Sequence, residues 1–157
     1  MARRIFISYQ HDDQMKAKGF NLLRWNKNVD FEFVGRHLLD PVNSKNEDYI
    51  SQRIKEQLTG TSVTVVLLGQ KAADSKWVQW EIEQSVAKKN GILAIKISDN
   101  VPTPSKESPV GKALYDAGAE IIGWDVGKFE SAIERAFKAA GRAEVVASMG
   151  SGTGCGR

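Results

Sequence analysis

Two aliphatic runs, SVTVVLL (62–68) and GILAIKI (91–97), carry almost no polar side chains, and the stretch between them repeats with a helical period. Successive side chains of a strand point to opposite faces of its sheet, so a strand that is apolar throughout must be covered on both faces. Central strands of a parallel sheet meet that condition, and parallel neighbours are joined by a crossover, usually a helix. Three further strand candidates are RIFISY (4–9), VDFEFV (29–34) and AEIIGWDV (119–126). Helical patterns fall at about 13–25, 47–59, 75–89, 109–117 and 128–140. This alternation predicts a doubly wound α/β fold: five mainly parallel strands with helices on both faces. Asp74 or Ser75 can cap the third helix, while GTS (60–62) and NG (90–91) end the second and third.

Composition narrows the partners. Lys and Arg outnumber Asp and Glu by 22 to 19, a net charge of +3, and the basic residues are scattered rather than striped, so nucleic acid is not an expected partner. Cys155 is the single cysteine, and His11 and His37 are the only histidines, which leaves no cluster for a structural metal. No apolar run is long enough to span a bilayer, and MARRIFISYQ passes from two arginines into a strand-like run, so the expectation is a cytoplasmic protein without a membrane partner. Residues 1–142 are expected to form the domain, and 143–157 a flexible Gly/Ser-rich tail. SDNVPTPSKESP (98–109) holds three of the four prolines and reads as a surface loop.

In open α/β sheets ligands bind beyond the carboxyl ends of the strands. Here those ends feed Gln10–Asp13, Val34–Pro41, Gly69–Trp77, Ser98–Pro109 and Asp125–Lys128. A Walker loop is excluded, because the glycine it needs ahead of Gly111-Lys112 is Lys106. A phospho-receiver needs an aspartate at the end of the third strand, which instead ends LLGQ. Asp12 and Asp13 then read as a charged first turn of the first helix, favourable to its dipole. His11, just after the first strand, sits at the functional edge.

The most conspicuous stretch at that edge is DSKWVQWEIEQSVAKKN (74–90). At about 100° per residue, Val78, Ile82 and Val86 define a buried stripe that also takes in Ser85. Glu81 falls at its margin, Trp77 lies one turn before it on the same flank, and Trp80 points further out. Glu81 is then either an exposed residue near the helix start, complementing the dipole, or a partly desolvated carboxyl roofed by an indole. A lone carboxyl cannot hydrolyse an ordinary glycoside, which also needs an acid for the leaving oxygen. The N-glycosidic bond of NAD is different, because nicotinamide leaves a pyridinium as a neutral molecule. One carboxylate that orients the ribose and stabilises the oxocarbenium charge suffices. Trp77 and Tyr9 offer flat surfaces for the ring or the ribose.

RIFISY, TSVTVVLLG and SKWVQWEIEQSVAKKNGILAIKI together resemble a Toll/interleukin-1 receptor (TIR) domain, and more narrowly the bacterial TIR-like proteins of the Thoeris anti-phage system. The resemblance spans roughly residues 3–140, and its most specific part is the third strand followed by a W-x-x-x-E helix start. It implies a flavodoxin-like sheet and an enzyme that takes NAD as substrate, with no other cofactor and no metal. It implies Glu81 as the catalytic residue with Trp77 beside it, and a nucleotide pocket lined by Ser8 and Tyr9. It also implies self-association through TIR surfaces and an ADP-ribose-derived, often cyclic, messenger read by a separate effector protein. A neighbouring subunit, acting through Gly35–Asp40, is expected to close the site. The sequence departs from the family's usual loop after the second strand, offering Gly35, Arg36, Asp40 and Pro41 in another order. A non-catalytic TIR-like interaction module is the alternative from a different class. A nucleoside deoxyribosyltransferase-like enzyme would also use one glutamate, as a covalent nucleophile.

Overall fold

Both aliphatic runs lie inside the sheet. A computed structural model describes residues 2–10, 13–22, 32–36 and 47–153. The strands are β1 (Ala2–Tyr9), β2 (Glu32–Arg36), β3 (Val63–Leu68), β4 (Gly91–Lys96) and β5 (Glu120–Ile122). The helices are α1 (Gln14–Leu22), α2 (Glu47–Leu58), α3 (Lys76–Ala87), α4 (Pro109–Asp116) and α5 (Val126–Thr153), with one 3-10 turn at Ala72–Asp74. The strands pair in the order β2-β1-β3-β4-β5, each neighbouring pair parallel. This is the flavodoxin-like order, and its direction reverses between β1 and β3, the place where such sheets open a crevice at their carboxyl ends.

Alternation along the strands supplies two cores. Ile5, Ile7 and Tyr9 of β1 join Val63, Val65 and Leu67 of β3, Leu93 and Ile95 of β4, Ala17 and Phe20 of α1, and Phe129, Ala132 and Ile133 of α5. On the opposite face Val66, Leu68, Ile92 and Ala94 pack under Val78 and Ile82 of α3 and Val110 and Leu114 of α4. Beside them Phe6 meets Ile54 and Leu58 of α2. Every residue of β3 is buried, as its unbroken apolar run requires.

Several boundaries differ from the sequence expectation, each for a local reason. β5 stops at Ile122, and Trp124 turns in to pack edge-on against Phe129, with ring centroids 5.3 Å apart. α3 ends in a left-handed residue, but that residue is Lys89 (φ 68°) rather than Asn90 or Gly91. The Asn90 N–H already closes the helix end on the Ser85 carbonyl at 3.0 Å. Gly91 serves close approach instead, since a Cβ there would run into the carbonyl of Ala136 in α5. α5 continues through residue 142 to Thr153, so helix occupies most of the stretch expected to be tail. Alanine, glutamate and methionine in AEVVASM favour helix enough to carry it past Gly141. Val101 of the proline-containing loop is buried, so that loop contributes to the core it was expected only to skirt. His11, Asp12, loop residues 37–46 and Cys155 lie outside the described residues.

Candidate active site

β1 brings Ser8 to the carboxyl end of the sheet on the face that carries α3, opposite the face of Ile7 and Tyr9. α3 starts cleanly: Ser75 sits in extended conformation and its hydroxyl accepts the Val78 N–H at 3.1 Å, the N-cap arrangement expected there. From this cap the helix turns Val78, Glu81, Ile82 and Ser85 inward. The buried stripe is therefore rotated from the one predicted. Val86, expected inside, is 46% exposed, and Glu81, expected at the margin, is 1% exposed. An exposed, dipole-complementing Glu81 is ruled out by this burial, and its place in the second turn is already beyond the strongest part of the dipole.

What draws the carboxyl inward is a partner on the neighbouring strand. Ser8, itself fully buried, donates its hydroxyl to Glu81 Oε1 at 2.8 Å. Burial pushes the Glu81 carboxyl up from 4.5 to about 8, and the Ser8 hydrogen bond opposes part of that rise. The group is a neutral acid below that pH and a carboxylate above it.

The other predicted residues divide. Trp77 and Trp80 are both partly buried and pack together on Phe6, Ile54 and Leu58, their ring centroids 6.5 Å apart. Trp80 thus does not point away, as the wheel suggested, but shares the α2–α3 seam with Trp77. Trp77→Ala and Trp80→Ala should each destabilise the fold by about 1–3 kcal/mol. Chemical denaturation checks this, and a Trp80→Ala variant as stable as wild type would contradict the packing. Tyr9 is 5% exposed among Ala17, Phe20 and Leu67, on the opposite face of the sheet from Glu81. It cannot close one side of a pocket whose other wall is Trp77, because adjacent strand residues face opposite ways. His11 lies outside the described residues.

One residue at this edge is buried in a way that its helix-start position alone does not indicate. Asp13 directly precedes α1, where the sequence places a first-turn charge, and is 8% exposed; its N–H donates to the Gln10 carbonyl at 2.8 Å. Its carboxyl occupies the space that a Cβ of Gly69 would fill at the end of β3. The signal was present in LLG, where a glycine directly after a buried strand marks the close approach of another group. Among the described residues no three His, Cys, Asp or Glu side chains come together to hold a metal, and no helix is long and apolar enough to cross a membrane.

The family model described as "Thoeris protein ThsB, TIR-like domain" matches residues 6–101, more than half of the chain. The chain belongs to this family. The match takes in the end of β1 that carries Ser8, and all of β3 and α3. A curated member, "Putative cyclic ADP-D-ribose synthase ThsB1" of Bacillus cereus (strain MSX-D12), is 29% identical over 103 residues, covering 62% of this chain. The chain spans about half of that relative's length, 53%. Among solved structures, a 3-dehydroquinate dehydratase-like protein from Bifidobacterium longum aligns over 88% of this chain and 98% of its own, with 15% identity and a TM-score of 0.48.

Proposed function

We propose that this Thoeris TIR-like protein is an enzyme that cleaves NAD at the nicotinamide–ribose bond, with Glu81 as its catalytic carboxyl. The product is an ADP-ribose-derived signalling nucleotide, cyclic in form, made in the cytoplasm for anti-phage defence and read by a separate effector protein. The observation that carries this reading is the Ser8–Glu81 pair: a desolvated carboxyl held at 2.8 Å by a hydroxyl, on an α3 that starts at the carboxyl edge of β3. The name of the Bacillus cereus relative supports the same chemistry.

In this reaction the C1′–N bond breaks and its electron pair passes to the nicotinamide nitrogen, cancelling the pyridinium charge, so the leaving group needs no acid. Positive charge develops on C1′ and the ring oxygen. A carboxylate fixed beside that charge in a dry site stabilises it far more than one in water would. Water at C1′ yields ADP-ribose, and an adenine nitrogen yields a cyclic product. Trp77, one turn ahead of Glu81 and partly exposed, can border the nicotinamide. NAD is the substrate, no other cofactor enters, and self-association through TIR surfaces shields the intermediate from water.

The test is mass spectrometry of the small molecules that the purified chain makes from NAD, repeated across a pH series. Only the carboxylate form can stabilise the cation, so kcat/KM should rise with pH and level off above a midpoint near 8. The pyridinium of bound NAD favours the carboxylate, so the midpoint in kcat should lie lower. A rate that stays flat between about pH 6 and 9 would remove Glu81 from the chemistry. One observation favours a non-catalytic interaction module: Glu81 is 1% exposed, as a structural acid would be. Intact NAD after prolonged incubation, alone or with lysate of infected cells, would support that second reading.

A further inference from the structure

Buried beneath α3 is a set of polar side chains that the chemistry above does not use. Thr61, Thr64, Ser85 and Asn90 are 3%, 0%, 0% and 6% exposed. They form a directed chain. The Asn90 amide donates to Thr64 Oγ1 at 3.2 Å, Thr64 donates to Ser85 Oγ at 2.7 Å, and Ser85 donates to the main-chain carbonyl of Glu81 at 2.7 Å. The Asn90 amide also reaches Thr61 Oγ1 at 3.0 Å, and Lys88 Nζ anchors the outer end on Asn90 Oδ1 at 3.3 Å and the Thr61 carbonyl at 2.6 Å. The Thr64 and Ser85 hydroxyls each receive one hydrogen bond and give one.

Stability alone does not call for this arrangement. A buried hydrogen bond between neutral groups contributes little net, and replacing both partners by apolar groups of similar shape is often nearly neutral. What the chain fixes is place. Its last acceptor is the carbonyl of Glu81, the same residue whose carboxyl meets Ser8. Thr64 lies on β3, whose neighbour β1 carries Ser8 opposite Val66. Glu81 is thereby tied to two adjacent strands, through its main chain to β3 and through its side chain to β1.

We infer that Thr64 and Ser85 are positioning residues, which set where α3 sits on β3 and so hold the Glu81 carboxyl against Ser8. This rests on the reading of Glu81 as the catalytic carboxyl. Apolar replacement should therefore leave the fold standing while the carboxyl loses its fixed position. Burial and the Ser8 hydroxyl govern the acidity of that carboxyl, so its titration reports whether the contact is kept.

The experiment compares wild type, Thr64→Val/Ser85→Ala and the conservative Thr64→Ser by two independent readouts. One is the NAD cleavage rate. The other is the titration midpoint of the Glu81 carboxyl in carbon-13 glutamate-labelled protein, with its resonance assigned by Glu81→Gln. In the double variant kcat should fall by about tenfold or more with KM nearly unchanged, since substrate groups are untouched. The carboxyl midpoint should shift clearly, and Thr64→Ser should restore both. Thermal stability should stay close to wild type. An unmoved midpoint in the double variant overturns the inference, whatever the NAD assay gives. So does a loss of kcat that simply follows a loss of folded protein. A midpoint that moves in a wild-type-like fold supports positioning even if wild type leaves NAD intact, an outcome that would count against the proposed reaction alone.

Discussion

Glu81→Gln should lose at least two orders of magnitude in NAD turnover and, above neutral pH, be the more stable protein. On the proposed reaction the loss follows from removing the negative charge that meets the oxocarbenium, a type of deletion that typically costs about 3 kcal/mol or more in the transition state. The gain in stability follows from linkage. Glu81 has its folded midpoint raised from 4.5 to about 8, so the folded state holds a proton that the unfolded chain releases over that range. Its contribution is intact below about pH 4.5 and is lost as pH rises through about 8. Glutamine keeps an oxygen that can accept from Ser8 and never ionises, so it escapes that loss. Wild type and variant should melt at similar temperatures near pH 4.5, and the variant should melt higher at about pH 9. Calorimetry across pH, beside nicotinamide release, checks both halves. A variant that turns over NAD normally would end the catalytic assignment. Melting curves that differ equally at both pH values would mean the carboxyl is not desolvated as described.

Phe6→Ala should have the largest effect on folding. Phe6 is fully buried and joins α2, through Ile54 and Leu58, to the Trp77–Trp80 pair of α3. Truncation removes the ring and leaves a cavity that partly exposed tryptophans can fill only in part, so the cost should be about 3–5 kcal/mol. For a chain of this size that lowers the melting temperature by roughly 10 °C. Phe6→Leu keeps most of the volume and should cost far less. Because Phe6 and Ser8 share a strand face, the cavity also loosens the seat of α3 next to Glu81. Urea denaturation of both variants is the measurement, and a cost below about 1 kcal/mol for Phe6→Ala would show that α3 is held elsewhere.

The parts of the fold that depend on local pattern were legible in the sequence. The unbroken aliphatic runs could only be inner strands, and Ser75 was recognisable as a cap because capping chemistry spans three residues. Glu81 was harder. A helical wheel assigns the inward face by hydrophobicity, and that favoured Val86 over a carboxyl. The structure turns the helix the other way, because the carboxyl has a hydroxyl partner 73 positions earlier in the chain, which no wheel can contain. The opposite facing of Ser8 and Tyr9 was available from strand alternation, but the family resemblance groups them as one pocket wall. The burial of Asp13 is marked in the sequence only by Gly69, whose bare backbone signals a close approach without naming the group that makes it.

The alternation along β1 has a bearing on the quality of any preparation of this protein. Ile5, Ile7 and Tyr9 supply one core, while Phe6 and Ser8 supply the other, so a slip of β1 by one residue against β3 would exchange the two sets. Such a chain would present Tyr9 to α3 and carry Ser8 away from Glu81, yet keep nearly the same helix and strand content. Circular dichroism would count it as native. The Ser8–Glu81 contact would be lost, so on the proposed reaction specific activity at fixed ellipticity would measure the fraction of molecules whose first strand is correctly paired.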